Sequence, residues 1–302
     1  MKDVYTLADL QSFGRKKLKP PIRLGVFGHP VAHSFSPQMQ NAALEKSDLE
    51  MRYARFEIAP NELQDAVELL RRLDFIGVNL TVPHKIAALA LVDEADETAR
   101  QIGAVNTVKI DDGKIRGFNT DGKGFARAIR EEFSVDLRDL RVLVIGAGGA
   151  ARAIALQCAK ENCERLVIAN RDSQKANQLV ESLRGFFAGP RVLGPVPRLQ
   201  AIAAEETVLR FQIANTDLVV NATPLGLNHG DTPPIPARLL APHLMVYDTV
   251  YAGSPTAFVS GAIEAGARAA NGLSMLLHQG ALAFEIWFDR SAPLDIMRKA
   301  LP

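Results

Sequence analysis

The run 142-VLVIGAGGAARAI-154 drives a buried strand into a glycine-rich turn and on into a helix. Gly146 permits the tight turn and Gly148 lets the main chain approach a pyrophosphate. Ala151 takes the third position of the fingerprint, small enough for close helix–strand packing. A helix that starts there presents its N–H groups to the anion. A second strand, 166-LVIA-169, comes next, and the residue that reads the ribose belongs at its end. There the chain has 170-NRDSQK-175. Arg171 suits a 2′-phosphate, which favours NADP, whereas the neighbouring Asp172 suits the bare ribose of NAD.

Polar side chains recur where other strands should end: Ser34/Ser36, Asn79/Thr81/Lys85, Asn106/Thr107, Asn119/Asp121 and Asn221/Thr223. Ligands of open parallel sheets sit beyond the carboxyl ends of the strands. The repetition therefore points to a ligand cleft. Ser36, Thr81 and Asp121 could equally cap helices, and capping is compatible with ligand contact.

The elements that would carry these residues read as an α/β chain. Strands are expected at 23–27, 52–58 and 75–80, with helices from Pro37 to Leu44, up to Leu70 behind a cap at or near Asn61, and after Pro83. Ser36 is the expected N-cap of the first of these. A hairpin of 104–110 and 114–120 turns through Asp111, Asp112 and Gly113. A helix from Gly122 to Phe133 leads to strands at 141–145, 166–169, 218–221 and 245–249. A short strand is expected near Val192 or Leu193. Helices over Thr256–Ala265 and Ser274–Phe288 close the chain.

Composition narrows the classes of function. The 302 residues suffice for two domains or one large α/β body. Lys plus Arg number 35 against 34 acidic residues, with no long basic run, so nucleic acid is not implied. The 2 cysteines, Cys158 and Cys163, are too few for a disulfide framework and suit a reduced, cytoplasmic protein. No apolar stretch of membrane-spanning length occurs, and residues 1–21 read as an extension without a signal-peptide core. The 6 histidines are scattered without ligand spacing, so no metal site is expected.

The chain resembles the shikimate dehydrogenase family (shikimate/quinate dehydrogenases). The matching segments are 28-GHPVAHSFSP-37 with Asn41, 77-GVNLTVPHK-85, 103-GAVNT-107, 117-GFNTDGKG-124, 146-GAGGAARA-153, 170-NR-171, 221-NATPLG-226, Tyr251 and 279-QGALAFEIW-287. They run in order over nearly the whole chain. The resemblance implies two α/β domains with the active site in a cleft between them. A mostly parallel-sheet substrate domain would comprise 22–121 and 267–302, and a Rossmann-like NADP domain 122–266. The implied activity is reversible NADP-linked reduction of 3-dehydroshikimate to shikimate, on the chorismate route to aromatic amino acids.

The same resemblance assigns roles. Lys85 and Asp121 would flank the reacting hydroxyl. Oxidising a secondary alcohol removes a proton as hydride leaves, and lysine can move that proton and steady the oxyanion. Which of the two formally transfers the proton stays open. Ser34 and Ser36 would hold the substrate carboxylate, with Asn79, Thr81, Asn106 and Gln279 on ring hydroxyls and Tyr251 on the carboxylate or ring. Gly146, Ala147, Gly148, Gly149 and Ala150 would lie under the pyrophosphate. Asn170, Arg171 and Lys175 would surround the 2′-phosphate, and Asn221, Thr223 and Met275 would lie toward the nicotinamide.

Departures from the family pattern are Gln40 in place of histidine, Asp172 of threonine, Pro224 of serine or threonine, Ala252-Gly253 of Asn-Pro and Ser274 of glycine. They leave an NAD-dependent quinate or quinate/shikimate dehydrogenase as one alternative and a non-catalytic NADP or hydroxy-acid binder as another. The only partner implied is a small-molecule substrate, and a monomer and a homodimer are equally compatible.

Overall fold

The computed structural model describes residues 2–13, 18–188, 197–228, 230–251 and 254–302. The chain forms two compact units, one of Met1–Thr120 with Leu276–Pro302, the other of Asp121–Met275. The division falls directly before Asp121, and the chain returns to the first unit at Leu276.

The first unit holds a seven-stranded mixed sheet. Its strands are β1 (Val4–Thr6), β2 (Ile22–Gly28), β3 (Arg52–Glu57), β4 (Gly77–Leu80), β5 (Glu94–Ala95), β6 (Thr107–Asp111) and β7 (Lys114–Phe118), in the order β1-β3-β2-β4-β6-β7-β5. β1 through β4 run parallel, while β6 is antiparallel to both β4 and β7. The hairpin turns through Asp112 and Gly113, at φ 48° and 75°. Two successive left-handed residues match the twist of the flanking strands, which is why Asp-Gly stands there.

Four helices accompany these strands: α1 (Leu7–Ser12), α2 (Ser36–Lys46), α3 (Leu63–Leu70) and α4 (Glu97–Ile102). On α3, Leu63, Ala66, Val67 and Leu70 repeat at helical spacing and are buried. They pack with Leu10 of α1 and with Phe27, Phe56, Phe75 and Val78 into one core.

The second unit begins with α5 (Asp121–Phe133) and contains a six-stranded, fully parallel sheet. Its strands are β8 (Arg141–Ile145), β9 (Arg165–Asn170), β10 (Leu199–Ala203), β11 (Leu218–Asn221), β12 (Met245–Asp248) and β13 (Arg268–Ala270). The order β10-β9-β8-β11-β12-β13 is the 3-2-1-4-5-6 arrangement of dinucleotide-binding folds. The intervening helices are α6 (Gly149–Lys160), α7 (Ser173–Leu183), α8 (Glu206–Ile213) and α9 (Ala257–Glu264). Leu209 and Ile213 of α8 and Phe258 and Ala262 of α9 share a core with Leu143, Val167, Val219 and Val246.

The chain closes with α10 (Leu273–Phe288) and α11 (Leu294–Lys299). In the first unit, Trp287 of α10 donates its indole N–H to the Val108 carbonyl at 2.9 Å. A Cβ at Gly77 would stand 2.2 Å from that indole nitrogen, so a side chain at 77 is excluded by the packing of α10. Among the described residues no helix is long and apolar enough to cross a membrane.

Local structure departs from the sequence expectation at several points. Residues 4–12, read as an extension ahead of the sheet, supply β1 and α1. Three residues of edge strand carry too short a pattern to read; their pairing with β3 is what orders them. Ser36 is not the N-cap of α2: Phe35 holds that position, and Ser36 is already helical beside Pro37. The cap expected at or near Asn61 falls on its neighbour Glu62, whose side chain makes no capping bond to α3 but accepts from the Ala59 N–H at 2.8 Å. The helix expected after Pro83 is a turn followed by a short 3₁₀ segment, Ala87–Leu91. The strand expected near Val192 or Leu193 lies outside the described residues, and β10 is found at Leu199–Ala203.

Candidate functional site

In the second unit the glycine-rich turn joins β8 to α6. Gly146 has φ 118°, and a Cβ there would lie 2.8 Å from the Ala222 carbonyl oxygen. Glycine is therefore required twice over, by conformation and by the close approach of the loop after β11. β8 and β11 are neighbours at the point where the strand order reverses, the usual place for a ligand crevice in this architecture. Gly148 is the N-cap of α6 and no side chain caps it. A Cβ there would meet no protein atom within 4 Å. Main-chain donors at an uncapped helix start, with open space before them, fit a pyrophosphate. Ala147 is buried beneath the turn, and Gly149 and Ala150 form the first turn of α6.

Asn170 ends β9, and Arg171 and Lys175 beyond it are exposed. Asp172 is the N-cap of α7. Hydrogen bonding from the Lys175 N–H, more than any other influence, holds its carboxyl below the ordinary value.

Asn221 and Thr223 build the loop after β11. Asn221 is fully buried; its Nδ2 donates to Leu225 O at 3.0 Å and to Asp248 Oδ1 at 2.8 Å. Its Oδ1 accepts from Thr223 N at 3.0 Å and Thr223 Oγ1 at 2.7 Å. Asp248 also accepts from Thr256 Oγ1 at 2.6 Å. Burial pushes its carboxyl above the ordinary range. The Asn221 side chain thus shapes the loop. Met275 is buried and donates its N–H to the Tyr247 hydroxyl at 3.1 Å. Tyr251 stands half-buried just beyond β12.

In the first unit the ends of β4, β6 and β7 gather amides and hydroxyls. Asn79 Nδ2 donates to Thr107 Oγ1 at 3.0 Å, and Tyr53 Oη donates to Asn79 Oδ1 at 2.8 Å. Asn106 donates from Nδ2 to Thr120 Oγ1 at 2.9 Å and to Gln279 Oε1 at 3.4 Å, while its Oδ1 accepts from Thr120 N at 2.9 Å. Asn119 Nδ2 donates to Ala104 O at 2.9 Å. Asn79, Asn106, Thr107, Asn119 and Thr120 are all buried. Amides both donate and accept, so such a cluster can match the hydroxyls of a polyol. The described part of the structure therefore brings Asn79, Asn106 and Gln279 into one neighbourhood.

Thr81 and Lys85 lie past β4, both half-buried. The Lys85 carbonyl accepts from Val105 N–H at 2.8 Å, which ties the lysine main chain beside Asn106. Thr81 N–H donates to Phe27 O at 2.9 Å. Ser34 lies half-buried on the loop from β2 to α2, and Ser36 is buried as the first residue of α2. Ser36 N–H donates to Ser34 Oγ at 3.3 Å. Asp121 is buried at the first residue of α5, directly after Thr120. Lys85 thus belongs to the first unit and Asp121 to the second. Among the described residues no group of three His, Cys, Asp or Glu side chains could hold a metal ion.

Sequence reasoning missed Tyr53, Thr120, Asp248 and Thr256. Tyr53 had a signal in the alternation of 52-RYARFEI-58, which sets it on the face opposite Phe56. The other three were visible only as polar residues near strand or helix ends.

A family model described as the shikimate dehydrogenase substrate-binding domain matches residues 26–108. Models of shikimate/quinate 5-dehydrogenase and of the shikimate 5′-dehydrogenase C-terminal domain match 127–223 and 272–301. The chain is similar to the NADP(+) shikimate dehydrogenase of Methanopyrus kandleri, with 42% identity over 280 residues, 92% of this chain and 94% of that one. A crystal structure of a shikimate dehydrogenase in complex with NADP+ aligns with TM-score 0.82 at 36% identity, covering 92% of this chain and 93% of that one. The Thermus thermophilus enzyme in complex with NADP(H) and shikimate aligns with TM-score 0.79 at 37% identity, covering 92% and 98%.

Proposed function

The chain belongs to the shikimate dehydrogenase family, and from that premise we propose that it is an NADP-dependent shikimate dehydrogenase. It would interconvert 3-dehydroshikimate and shikimate on the route to chorismate and the aromatic amino acids. The observation that carries this reading is the buried cluster of Asn79, Asn106, Thr107 and Thr120, with the Lys85 main chain tied beside it through Val105.

When bound, NADPH supplies a hydride to the substrate carbonyl carbon. This chain's residues do the rest. Ser34 and Ser36 donate to the carboxylate; Asn79, Thr81, Asn106, Gln279 and Tyr251 fix the ring. Lys85 delivers a proton to the carbonyl oxygen as the C–O π bond opens, and its charge steadies the forming alkoxide. Asp121 orients Lys85 and the hydroxyl. In the oxidative direction the same proton returns to the Lys85–Asp121 pair as hydride departs. In the second unit, Gly146, Ala147, Gly148, Gly149 and Ala150 would cradle the pyrophosphate, and Asn170, Arg171 and Lys175 the 2′-phosphate. Thr223 and Met275 would border the nicotinamide, with Asn221 shaping that loop. Free, buried Cys158 and Cys163 accord with a cytoplasmic location.

Asp172 beside Arg171 favours a second reading, an NAD-dependent quinate or quinate/shikimate dehydrogenase. Initial rates with shikimate and quinate, each crossed with NADP and NAD, separate the two. The first reading requires the highest kcat/KM for shikimate with NADP and its loss in Lys85→Ala. Preference for NAD or quinate establishes the second, and absence of turnover in all pairs overturns both in favour of a binding role.

A further inference from the structure

We propose that Arg55 is a positioning residue for carboxylate recognition, acting through the loop that carries Ser34 and Ser36; this rests on the reading above. Alternation along β3 sends Tyr53, Arg55 and Glu57 to one face and Phe56 to the other, where Phe56 is wholly buried in the core. The Arg55 guanidinium donates from Nε and Nη2 to the Ser34 carbonyl oxygen, at 2.9 and 2.7 Å. Nη2 also donates to Gln38 Oε1 on α2, at 2.9 Å. One planar group therefore fastens the last loop residues to the first turn of the helix, across the segment that bears both serines.

Glu57, two residues along the same strand face, holds the other end. Its Oε2 accepts from Val31 N–H at 3.0 Å, and its Oε1 lies 2.6 Å from His29 Nδ1. The loop's main-chain bonds include His29 N–H to Val82 O and Ser34 N–H to Val31 O, each 3.0 Å, and Phe35 O accepts from Met39 N–H at 3.3 Å. Two hydroxyls bind one carboxylate well only when their separation and direction are fixed before the ligand arrives. Here β3 supplies that fixation. A guanidinium meets one carbonyl with two parallel N–H groups and a second acceptor with its remaining donors; an ammonium has no such fixed fork.

The test is steady-state kinetics of purified Arg55→Gln and Arg55→Lys, with thermal unfolding checked alongside. The KM for shikimate should rise about 10-fold or more in Arg55→Gln, with kcat within about threefold of wild type and the KM for NADP unchanged. Arg55→Lys should fall between. The preference of wild type for shikimate over its methyl ester should shrink in Arg55→Gln, which loss of folded protein alone would not produce. An unchanged shikimate KM in folded Arg55→Gln, or equal rises in both KM values, overturns the proposal while leaving the activity standing. Wild type that neither turns over shikimate nor binds it in calorimetry overturns the activity and this proposal together.

Discussion

Asp172 Oδ1 accepts from the main-chain N–H of Lys175 at 3.2 Å, and its Oδ2 lies 3.4 Å from Lys175 Nζ. Gln174 N–H adds a further bond at 3.1 Å. The acid that stands beside Arg171 is thus a helix cap, and its charge is shared with the first turn of α7. Arg171 is exposed and is one of the cations proposed for the 2′-phosphate. Arg171→Ala should raise the KM for NADP about 10- to 100-fold and alter that for NAD little, a difference of one charge-assisted contact. Asp172→Ser, which keeps a capping oxygen and removes the charge, should lower the KM for NADP by about twofold or more. Initial rates with both cofactors at fixed ionic strength check both variants.

Lys85 and Asp121 carry the proton in the proposed reaction. Lys85→Ala should cut kcat by about 10²–10⁴, the ordinary contribution of a positioned acid or base. Asp121→Asn, which keeps the shape and drops the charge, should also cut kcat while leaving the KM for NADP unchanged. Single-turnover measurement of NADPH oxidation separates the chemical step from release.

The loop after β11 depends on Asn221. Asn221→Ala leaves the donors of Thr223 without their acceptor and takes one of two donors from Asp248 Oδ1, which keeps the Val250 N–H at 3.0 Å; unmade buried bonds cost about 1–3 kcal/mol each. The denaturant midpoint should fall and the KM for NADP should rise, with calorimetric binding of shikimate unaltered.

His84 gives a pH signature. Burial, above all, lowers its pKa, and its Nε2 lies 2.8 Å from the Ile58 carbonyl, so that nitrogen carries the proton and donates. A histidine depressed in the folded state contributes stability fully above its ordinary value of about 6.5. That contribution is lost as pH falls below this value, because the unfolded chain takes up the proton first. His84→Gln, which retains a donor for Ile58, should flatten the decline in Tm between neutral and mildly acidic pH relative to wild type.

Tyr53→Phe removes the donor to Asn79 Oδ1 and leaves that amide held through its Nδ2 bonds to Thr107 Oγ1 and Asn106 O. The KM for shikimate should rise about three- to tenfold, the scale of one neutral hydrogen bond, with the cofactor KM unchanged.

The Asp112-Gly113 hairpin and the turn at Gly146 were legible because each is dictated by residues adjacent in the chain. The helical repeat of α3 and the apolar runs of β8, β9 and β11 were legible for the same reason. The edge strand β1 and the anchoring of the serine loop by β3 were not. Neither was the capture of Asn79 by Tyr53, nor the tie from Asp248 to Asn221. Arg55 lies 21 residues from Ser34, Tyr53 lies 26 from Asn79, and Asp248 lies 27 from Asn221. Local periodicity and turn chemistry carry no information about which distant donor will meet which acceptor. The sequence by itself determined the strand–turn–helix segments, the kinds of side chain at their ends and the family. Tertiary structure alone decided which of those side chains meet one another and which hold the loops, because burial leaves each polar group needing a partner that only the packed sheets bring within reach.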